Sequence, residues 1–289
     1  MRIVGIDAGG TKTDFFLCDE NENVINRVTL GSGNPNDIGI EALLSLLDEG
    51  LDALCGEDAP DALFAGVSGG GFGNNFLKIR EFLEAKYSSA LVDNGSDALN
   101  LLSCSNYDDG VGALICGTGS VIFVQDESGL TRYGGWGHLF DNGGSGYDIG
   151  RDALRLLLDA EERGEELLTS PLFSLLLDKL GDSAHNSIQR LYSGQKAYIA
   201  SFAPIVFEAF EQSDARAFSI INSNVDAVAS RVSHVISNHP SVKEFVCAGG
   251  LFKSKIFFDL LSLRVSVPLV VPDFPPALGA VRRAVRMMK

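Results

Sequence analysis

Two short segments of the chain combine glycine, hydroxyl and charged side chains in a pattern that suits phosphate binding. The first follows the apolar residues 3–6 and runs from Asp7 through Gly9 and Gly10 to Thr13. Glycines have no Cβ, so the backbone can approach a ligand closely, and successive N–H groups in such a turn form a nest for anionic oxygens. The pattern predicts a β-hairpin whose turn binds phosphate.

Side chains of the same segment could add to such a site. Thr11 and Thr13 offer hydroxyl donors, and Lys12 offers a positive charge that can reach a terminal phosphate. Asp7 ends the apolar strand and is placed to hold a hydrated Mg²⁺ beside that phosphate. The alternative is an ordinary hairpin turn, because short glycine motifs also occur without a ligand.

A second hairpin of the same kind occurs later in the chain. Residues 111–116 are apolar, residues 121–124 return as a strand, and a short turn joins them. That turn consists of Gly117, Thr118, Gly119 and Ser120. Two phosphate-binding hairpins facing one another would clamp a triphosphate, so the repetition predicts two lobes that share one nucleotide.

Two carboxylates near residue 95 could serve an alcohol that receives a phosphoryl group. Such an acceptor needs a carboxylate within hydrogen-bond reach to take its proton. Asp93 follows a short predicted strand over 90–92, and Asp97 precedes a helix predicted over 98–104. Both fit on chemistry, and Asp97 could also act only as a helix cap.

The segment 133–150 places the one tryptophan, Trp136, among glycines and polar side chains. An aromatic face beside convergent polar groups is how proteins bind sugars. Asn34 and Asn36 could likewise bind a polyol, or could make only turn and cap contacts. His138 is favoured as a structural hydrogen-bond donor, because no metal-binding partner stands at a suitable spacing.

One motif points to a different reaction. Residues 66–70 match the Gly-x-Ser-x-Gly pattern of a hydrolase nucleophile at Ser68. That motif requires a helix directly after the serine, whereas Ser68 is followed by three glycines. The context argues against a hydrolase.

Composition limits the class of protein. The chain has 289 residues, 45% of them hydrophobic and 21% charged, and a net charge of −15, which indicates a soluble globular protein and argues against nucleic acid or an anionic membrane as partner. The five cysteines are scattered without metal-binding spacing, and no signal peptide or apolar membrane span is evident, so the expected location is cytoplasmic.

Periodicity predicts the remaining elements. Strands are expected over 24–30, 62–67 and 269–271, and residues 245–251 are expected to form a strand that enters the Gly249-Gly250 turn. An amphipathic helix is expected to follow residue 37. Between residues 150 and 238 the chain is expected to be mostly helical, with helices over 153–163, 171–180, 197–211 and 215–236.

Taken together, these motifs resemble the sugar kinase/heat-shock-chaperone/actin superfamily. The match continues in Asp97-Ala98, in the segment around Trp136, in the Gly249-Gly250 turn and in the Ala-Leu-Gly-Ala helix at 277–280. Within the superfamily, the segment around Trp136 is similar to that of the N-acetylglucosamine kinase group of the BadF/BadG/BcrA/BcrD ATPase family. The resemblance implies an α/β fold of two actin-like (ribonuclease H-like) lobes, with a duplicated mixed sheet and a central cleft.

The resemblance also implies the activity and the roles of the residues. It implies an ATP- and Mg²⁺-dependent kinase for an amino sugar, most simply N-acetylglucosamine at its 6-hydroxyl, with Asp97 as the base and Asp7 at the metal. The implied ATP-binding residues are Gly9, Gly10, Thr11, Lys12, Thr13, Gly117, Thr118, Gly119, Ser120, Gly249 and Gly250. The implied sugar-binding residues are Asn34, Asn36, Asp97, Gly119, Trp136, Asp141 and Asn142.

The lobes are expected to span 1–105 with 272–289, and 106–271.

One departure from the family pattern concerns the residues that would bind the sugar. The family usually has Gly-Asp-Glu where this chain has Asp141-Asn142-Gly143, so the sugar-facing acid falls on Asn142 with Asp141 beside it. Glucosamine, N-acetylmuramic acid and glucose therefore stay open as acceptors.

Two further alternatives are a non-kinase ATPase, such as an activator of radical dehydratases, and a binding or regulatory protein without activity. The isolated cysteines argue against the iron–sulfur cluster of those activators and against the zinc-bearing branch of sugar kinases. The sequence does not determine the oligomeric state, and a homodimer is one option.

Overall fold

The computed structural model describes residues 1–70, 73–141 and 143–289. These residues form two compact units, Met1–Asp108 with Pro272–Lys289, and Asp109–Val271. No helix in the described part of the chain is both long and apolar enough to cross a lipid bilayer.

Each unit contains one five-stranded mixed sheet. The strands are β1 (Ile3–Ala8), β2 (Thr13–Cys18), β3 (Val24–Leu30), β4 (Ala62–Val67), β5 (Leu91–Gly95), β6 (Val111–Cys116), β7 (Ser120–Asp126), β8 (Gly129–Gly134), β9 (Glu244–Ala248) and β10 (Leu269–Val270). The first sheet has the order β3-β2-β1-β4-β5 and the second has the order β10-β9-β6-β7-β8. In each sheet three antiparallel strands continue into a parallel set, so the same arrangement occurs twice.

Helices flank both sheets. They are α1 (Pro35–Ile38), α2 (Ile40–Cys55), α3 (Asn75–Lys86), α4 (Ala98–Leu102), α5 (Gly146–Glu162), α6 (Pro171–Leu180), α7 (Ile188–Ser193), α8 (Gln195–Ala200), α9 (Ala203–Glu211), α10 (Ala215–Asn238), α11 (Lys255–Ser262) and α12 (Pro276–Met287), with short 3₁₀ turns at Leu167–Thr169 and Gly250–Lys253. The long amphipathic helices bury one apolar face each, as their spacing predicts.

Unit 1 has two apolar layers because successive residues of a strand face opposite sides of the sheet. Val4, Ile6 and Ala8 of β1 face the cluster formed with α2 and α3, whereas Ile3 faces the cluster formed with α12. Gly5 lies on the α12 side, where an added Cβ would stand 2.4 Å from the carbonyl oxygen of Ala277. The absence of a side chain at Gly5 therefore lets the last helix lie directly on the first strand.

Unit 2 has one large apolar core, formed by its sheet and helices α5, α6, α9, α10 and α11. Phe173, Phe202, Phe245 and Phe257 are among its fully buried side chains. Burial of large side chains of this kind contributes about 1.5–3 kcal/mol each. The core gives rigid support to the turn that joins β6 to β7, where the second predicted phosphate loop lies.

Candidate active site

The carboxyl ends of three neighbouring parallel strands bring together the candidate catalytic groups of unit 1. Strand β1 pairs with β4, and β4 pairs with β5, in parallel register. Asp7 lies near the end of β1, Ser68 follows β4, and Asp97 follows β5. Ligands of open α/β sheets bind outside this edge, so the topology alone makes it a candidate site.

Asp97 caps helix α4 and also faces its neighbours at the strand ends. Its Oδ1 accepts a hydrogen bond from the N–H of Ala98 at 3.0 Å and from the hydroxyl of Ser96 at 3.2 Å. The hydroxyl of Ser68 is a further hydrogen-bond partner. Burial raises the pKa of the Asp97 carboxyl above its ordinary value, and these hydrogen bonds oppose the increase.

The competing carboxylate, Asp93, has a different environment. It lies within β5 opposite Phe64 and forms an ion pair with Arg80. An arginine partner holds a carboxylate in place as a charge-assisted contact. The structure therefore leaves Asp97, and not Asp93, beside Asp7 at the strand ends.

Asp7 is held by Asn100 of helix α4. The Nδ2 of Asn100 donates to Oδ1 of Asp7 at 2.7 Å and to the carbonyl oxygen of Ile6 at 3.1 Å. The pKa of Asp7 is raised to about 6, mainly by burial and also by the negative charges of Asp97 and Asp14, against the hydrogen bond from Asn100. Because the negative charges of Asp7 and Asp97 repel each other, a cation bound between them would stabilise both carboxylates.

The first predicted phosphate loop is a hairpin turn between β1 and β2, as predicted. Ala8 and Thr13 are the last paired residues, and the N–H of Gly9 donates to the carbonyl oxygen of Lys12 at 2.9 Å. Gly10, Thr11 and Lys12 are exposed. The Lys12 ammonium is 2.5 Å from Oδ2 of Asp14, at an exposed position from which it can swing to an anion.

Asn34 and Asn36 lie beside the turn that follows β4. The Oδ1 of Asn34 accepts from the N–H of Asn36 at 3.0 Å and caps helix α1, so the cap role that the sequence left open is present. An added Cβ at Gly69 would stand 2.4 Å from Oδ1 of Asn34 and 2.4 Å from Nδ2 of Asn36. Both amides therefore adjoin Gly69, the residue that follows Ser68 in the chain.

The second predicted phosphate loop joins β6 to β7. The N–H of Gly117 donates to the carbonyl oxygen of Gly119 at 2.8 Å, and the N–H of Gly146 donates to the carbonyl oxygen of Gly117 at 2.7 Å. Thr118 and Gly119 are exposed. The loop is thus fixed at its base by the start of helix α5 and open at its tip.

The turn of Gly249 and Gly250, which by the resemblance is the adenosine turn of the ATP site, lies against this second loop. Strands β6 and β9 are parallel neighbours, so the turns after them meet. An added Cβ at Gly117 would be 3.7 Å from the nitrogen of Gly250. Together these turns line one end of a slot of about 540 Å³, which Leu251 and helices α8 and α9 complete.

Two of the predicted ATP-binding hydroxyls have internal partners. The Thr13 hydroxyl is buried and donates to the carbonyl oxygen of Gly31 at 3.0 Å. The Ser120 hydroxyl is buried and accepts from Arg231 at 2.9 Å. The sequence predicts that Thr13 and Ser120 bind phosphate, but in the structure both hydroxyls form internal hydrogen bonds that stabilise their loops.

The predicted sugar-binding residues of unit 2 follow β8. Trp136 is 65% exposed, and the guanidinium carbon of Arg132 lies 5.0 Å from the centre of its ring. Oδ2 of Asp141 accepts from the N–H of Gly137 at 3.0 Å, and both Trp136 and Asp141 line a cleft of about 560 Å³. Asn142 lies outside the described residues.

Sequence reasoning missed two residues of this site. Ser68 was considered only as a hydrolase nucleophile, yet helix α3 begins at Asn75, so no nucleophile elbow forms. Asn100 gave no signal in a five-residue helix. The side chain of Asn100 packs directly against Gly66, where an added Cβ would stand 2.3 Å from Nδ2.

Substitution of Gly249 by alanine tests how the adenosine turn is held. Gly249 has φ +105°, and a Cβ there would be 2.4 Å from the carbonyl oxygen of Cys116. We expect Gly249→Ala to lower the free energy of unfolding by about 1–3 kcal/mol. Gly250→Ala is the matched control, because its Cβ meets nothing within 4 Å. Urea unfolding of both variants measures the difference, and equal stabilities would contradict the geometry.

Comparison with known proteins gives two curated relatives. An N-acetyl-D-glucosamine kinase of Dictyostelium discoideum is 26% identical over 318 residues, covering 99% of this chain and 98% of the relative. An N-acetylmuramic acid/N-acetylglucosamine kinase of Clostridium acetobutylicum is 30% identical over 223 residues, covering 73% of this chain and 72% of the relative.

A solved structure supports the fold. A candidate N-acetylglucosamine kinase from Chromobacterium violaceum superposes with a TM-score of 0.72 at 22% identity, covering 100% of this chain and 99% of its own. The predicted fold class, two mixed sheets of the actin-like type, is confirmed. Residues 4–284 match the model of an ATP-using family. The chain belongs to the BadF/BadG/BcrA/BcrD ATPase family.

Proposed function

We propose that the protein is an ATP-dependent kinase that phosphorylates an amino sugar, with N-acetylglucosamine as acceptor at its 6-hydroxyl. The observation that carries this proposal is the placement of Asp7 and Asp97 at the carboxyl ends of β1 and β5, the two strands on either side of β4, each with a raised pKa. Perturbed carboxyl groups beside a glycine loop are typical of a catalytic site. The two curated relatives, both named as kinases of N-acetylglucosamine, support the same substrate class.

Asp97 takes the proton of the acceptor hydroxyl in this proposal. Burial raises the pKa of the Asp97 carboxyl, which makes its carboxylate a stronger base than an exposed aspartate. The N–H of Ala98 and the hydroxyl of Ser68 fix its orientation. Positioning and charge stabilisation are most of what phosphoryl transfer requires.

The sugar contacts come from amides and an aromatic ring. Oδ1 of Asn34 is used in the helix cap, so its NH₂ group is the part that can donate to a sugar hydroxyl. Asn36 offers a second amide at the same turn. Trp136 offers an exposed face for the C–H patches of a sugar ring, and Asp141 offers an acceptor for its hydroxyls. Gly119 and Asn142 are retained as proposed contacts from the sequence alone.

The carboxylate of Asp7 fits a magnesium ion. Its pKa of about 6 reflects burial and two neighbouring acids, a setting in which a dication relieves the repulsion. Among the residues described, no group of three or more histidine, cysteine or acidic side chains could enclose a metal. Magnesium is commonly held by one or two carboxylates, waters and substrate phosphates. When bound, it would neutralise charge on the phosphates.

The nucleotide is bound by main-chain groups in this proposal. Gly9, Gly10, Thr11, Lys12, Gly117, Thr118 and Gly119 contact the phosphates, and the slot beside Gly249 and Gly250 receives the nucleoside. A net charge of −15 gives no general attraction for anions. Oriented N–H groups and the Lys12 ammonium must therefore supply that attraction locally.

A second acceptor is favoured by a specific observation. The Clostridium relative is named for N-acetylmuramic acid as well as N-acetylglucosamine. The Asp141-Asn142-Gly143 departure falls in the sugar segment, so N-acetylmuramic acid and glucosamine are the alternative acceptors within the same reaction.

A cluster-bearing ATPase is less compatible with the cysteines. Cys18, Cys104 and Cys116 are buried, and burial raises the pKa of Cys18 to about 11 and of the other two to about 12. Ligation of iron requires thiolates. Without a metal these thiols stay protonated at neutral pH, and the described residues include no group of three or more histidine, cysteine or acidic side chains that could hold a cluster.

An ADP-release assay tests the function. With MgATP we expect ADP to form when N-acetylglucosamine is added, with a phosphate at carbon 6 of the product by NMR. Glucose, glucosamine and N-acetylmuramic acid are assayed in parallel, and a reaction without sugar is the control. ADP formed at the same rate with and without sugar would reject the kinase in favour of an ATPase.

A further inference from the structure

The nucleoside slot of unit 2 is lined mostly by apolar groups. Helices α8 and α9 and the segment between them contribute Ala197, Ala200, Ala203, Pro204 and Phe207, and the opposite wall is Leu251. The slot holds about 540 Å³, within the range of pockets that enclose a nucleoside-sized ligand. A flat ring is favoured there by burial of its faces.

Few side-chain polar groups line this slot away from the glycine turns. The hydroxyl of Ser201 donates to the carbonyl oxygen of Tyr198 at 2.7 Å, so it is already used. Lys253 is exposed at the rim. Ser254 is the third such residue.

Ser254 occupies the N-cap position of helix α11 without capping it. Its backbone is extended, with φ −85° and ψ 116°, as at an ordinary N-cap, yet its side chain makes no cap hydrogen bond. Serine at this position usually accepts from the N–H of the second or third helical residue. The hydroxyl of Ser254 is therefore available to a ligand in the slot.

A single hydroxyl reads a base edge differently from an amide or a carboxylate. It rotates, donates one hydrogen bond and accepts others. It can accept from the amino group of adenine or donate to the carbonyl oxygen of guanine. Strong rejection of a wrong base requires buried polar groups that the wrong base leaves unpaired. The described side chains of the slot supply no such group.

We infer that the slot selects the nucleobase by shape, with Ser254 as the hydroxyl that meets its polar edge, so that adenine and guanine nucleotides both serve. This inference rests on the proposed function, because it assigns the slot to the nucleoside of the phosphoryl donor. Purine nucleotides should differ by less than about tenfold in affinity, since a site without a fixed donor pattern discriminates weakly.

Calorimetric titration of the full chain with ADP and with GDP tests the inference. We expect the two dissociation constants to lie within tenfold of one another. Ser254→Ala should weaken both by about two- to tenfold, the size of one neutral hydrogen bond, and should leave their ratio unchanged. Ser262→Ala, on the exposed end of the same helix, is the matched control and should bind like the parent.

The outcomes separate the slot from the kinase. A preference for ADP above tenfold overturns selection by shape, and unchanged binding in Ser254→Ala overturns the role of that hydroxyl. Either result leaves the kinase proposal intact. Binding of both nucleotides within tenfold but with no phosphorylated sugar rejects the kinase and keeps only the selection of the base by shape, whereas binding of neither nucleotide rejects both.

Discussion

Asp97→Asn is expected to lower turnover by at least about 100-fold, the low end of general-base effects. Asparagine keeps the size of the side chain and can still accept from the N–H of Ala98, so helix α4 stays capped. It cannot take a proton from the acceptor hydroxyl. ATP binding should therefore be nearly unchanged, and the loss should appear in kcat.

Steady-state kinetics with N-acetylglucosamine and calorimetry with ADP measure the two quantities. Asp58→Asn is the control, because Asp58 is an exposed carboxylate of the same unit. Near-normal turnover of Asp97→Asn would remove Asp97 from the role of base. A parallel loss of ADP binding would indicate a structural defect in place of a catalytic one.

Asp7→Asn is expected to lower turnover and to raise the free energy of unfolding. Turnover should fall by about 100-fold or more, since several kcal/mol of charge stabilisation depend on the metal that Asp7 is proposed to hold. The amide is neutral, and its oxygen can still accept from Nδ2 of Asn100. The substitution thus removes a charge from a buried position without leaving Asn100 unpaired.

The stability change follows from the sign of the pKa shift. Burial raises the pKa of Asp7 from 3.8 to about 6, so between these values the folded protein binds more protons than the unfolded chain. The folded state therefore loses stability as pH rises from about 4 to about 6. In metal-free buffer at pH 7, the free energy of unfolding of Asp7→Asn should be about 1–3 kcal/mol higher than that of the parent.

Urea unfolding at pH 7 and at pH 4 in the presence of a chelator measures this difference. The gain should shrink at pH 4, where Asp7 of the parent is protonated. A variant that is less stable than the parent at pH 7 would show that the Asp7 carboxylate is favourably placed in the metal-free protein.

Strands and phosphate turns were the features most accessible to sequence reasoning. The predicted bounds 24–30, 62–67 and 111–116 agree with β3, β4 and β6, because each is a short run bounded by turn residues. Strand β8 was missed, since its polar residues around Arg132 show no apolar alternation. It exists because β7 offers it a pairing partner.

Helix boundaries were harder to predict. One helix was predicted over 197–211, but the chain forms α8 and α9 with a break before Ala203. Pro204 lies in the first turn of α9, the one place in a helix where proline is tolerated. Helix α5 begins at Gly146, before the predicted 153, because Ser145 and Asp148 form a capping box within glycine-rich sequence.

The candidate site was predictable only in part. Asp7, Asp97 and the glycine turns stand out as residue types in suitable positions along the chain. The contact between Ser68 and Asp97 depends on β4 lying beside β5, which local patterns do not specify. The bond from Asn100 to Asp7 joins residues far apart in sequence and depends on Gly66 leaving space for the amide.

The close contact between the last helix and the first strand has a consequence for biosynthesis. Gly5 leaves room for α12 on the first strand, and Gly279 of α12 leaves room for the backbone of Asn100 in α4. Helix α12 belongs to unit 1 although all of unit 2 precedes it in the chain. On the ribosome, the first hundred or so residues emerge early, and domains generally fold as units when their chain is complete. Unit 2 can therefore fold first, while the part of unit 1 that is made earlier keeps an exposed apolar face until α12 is made. During that interval a chaperone would bind this face most readily.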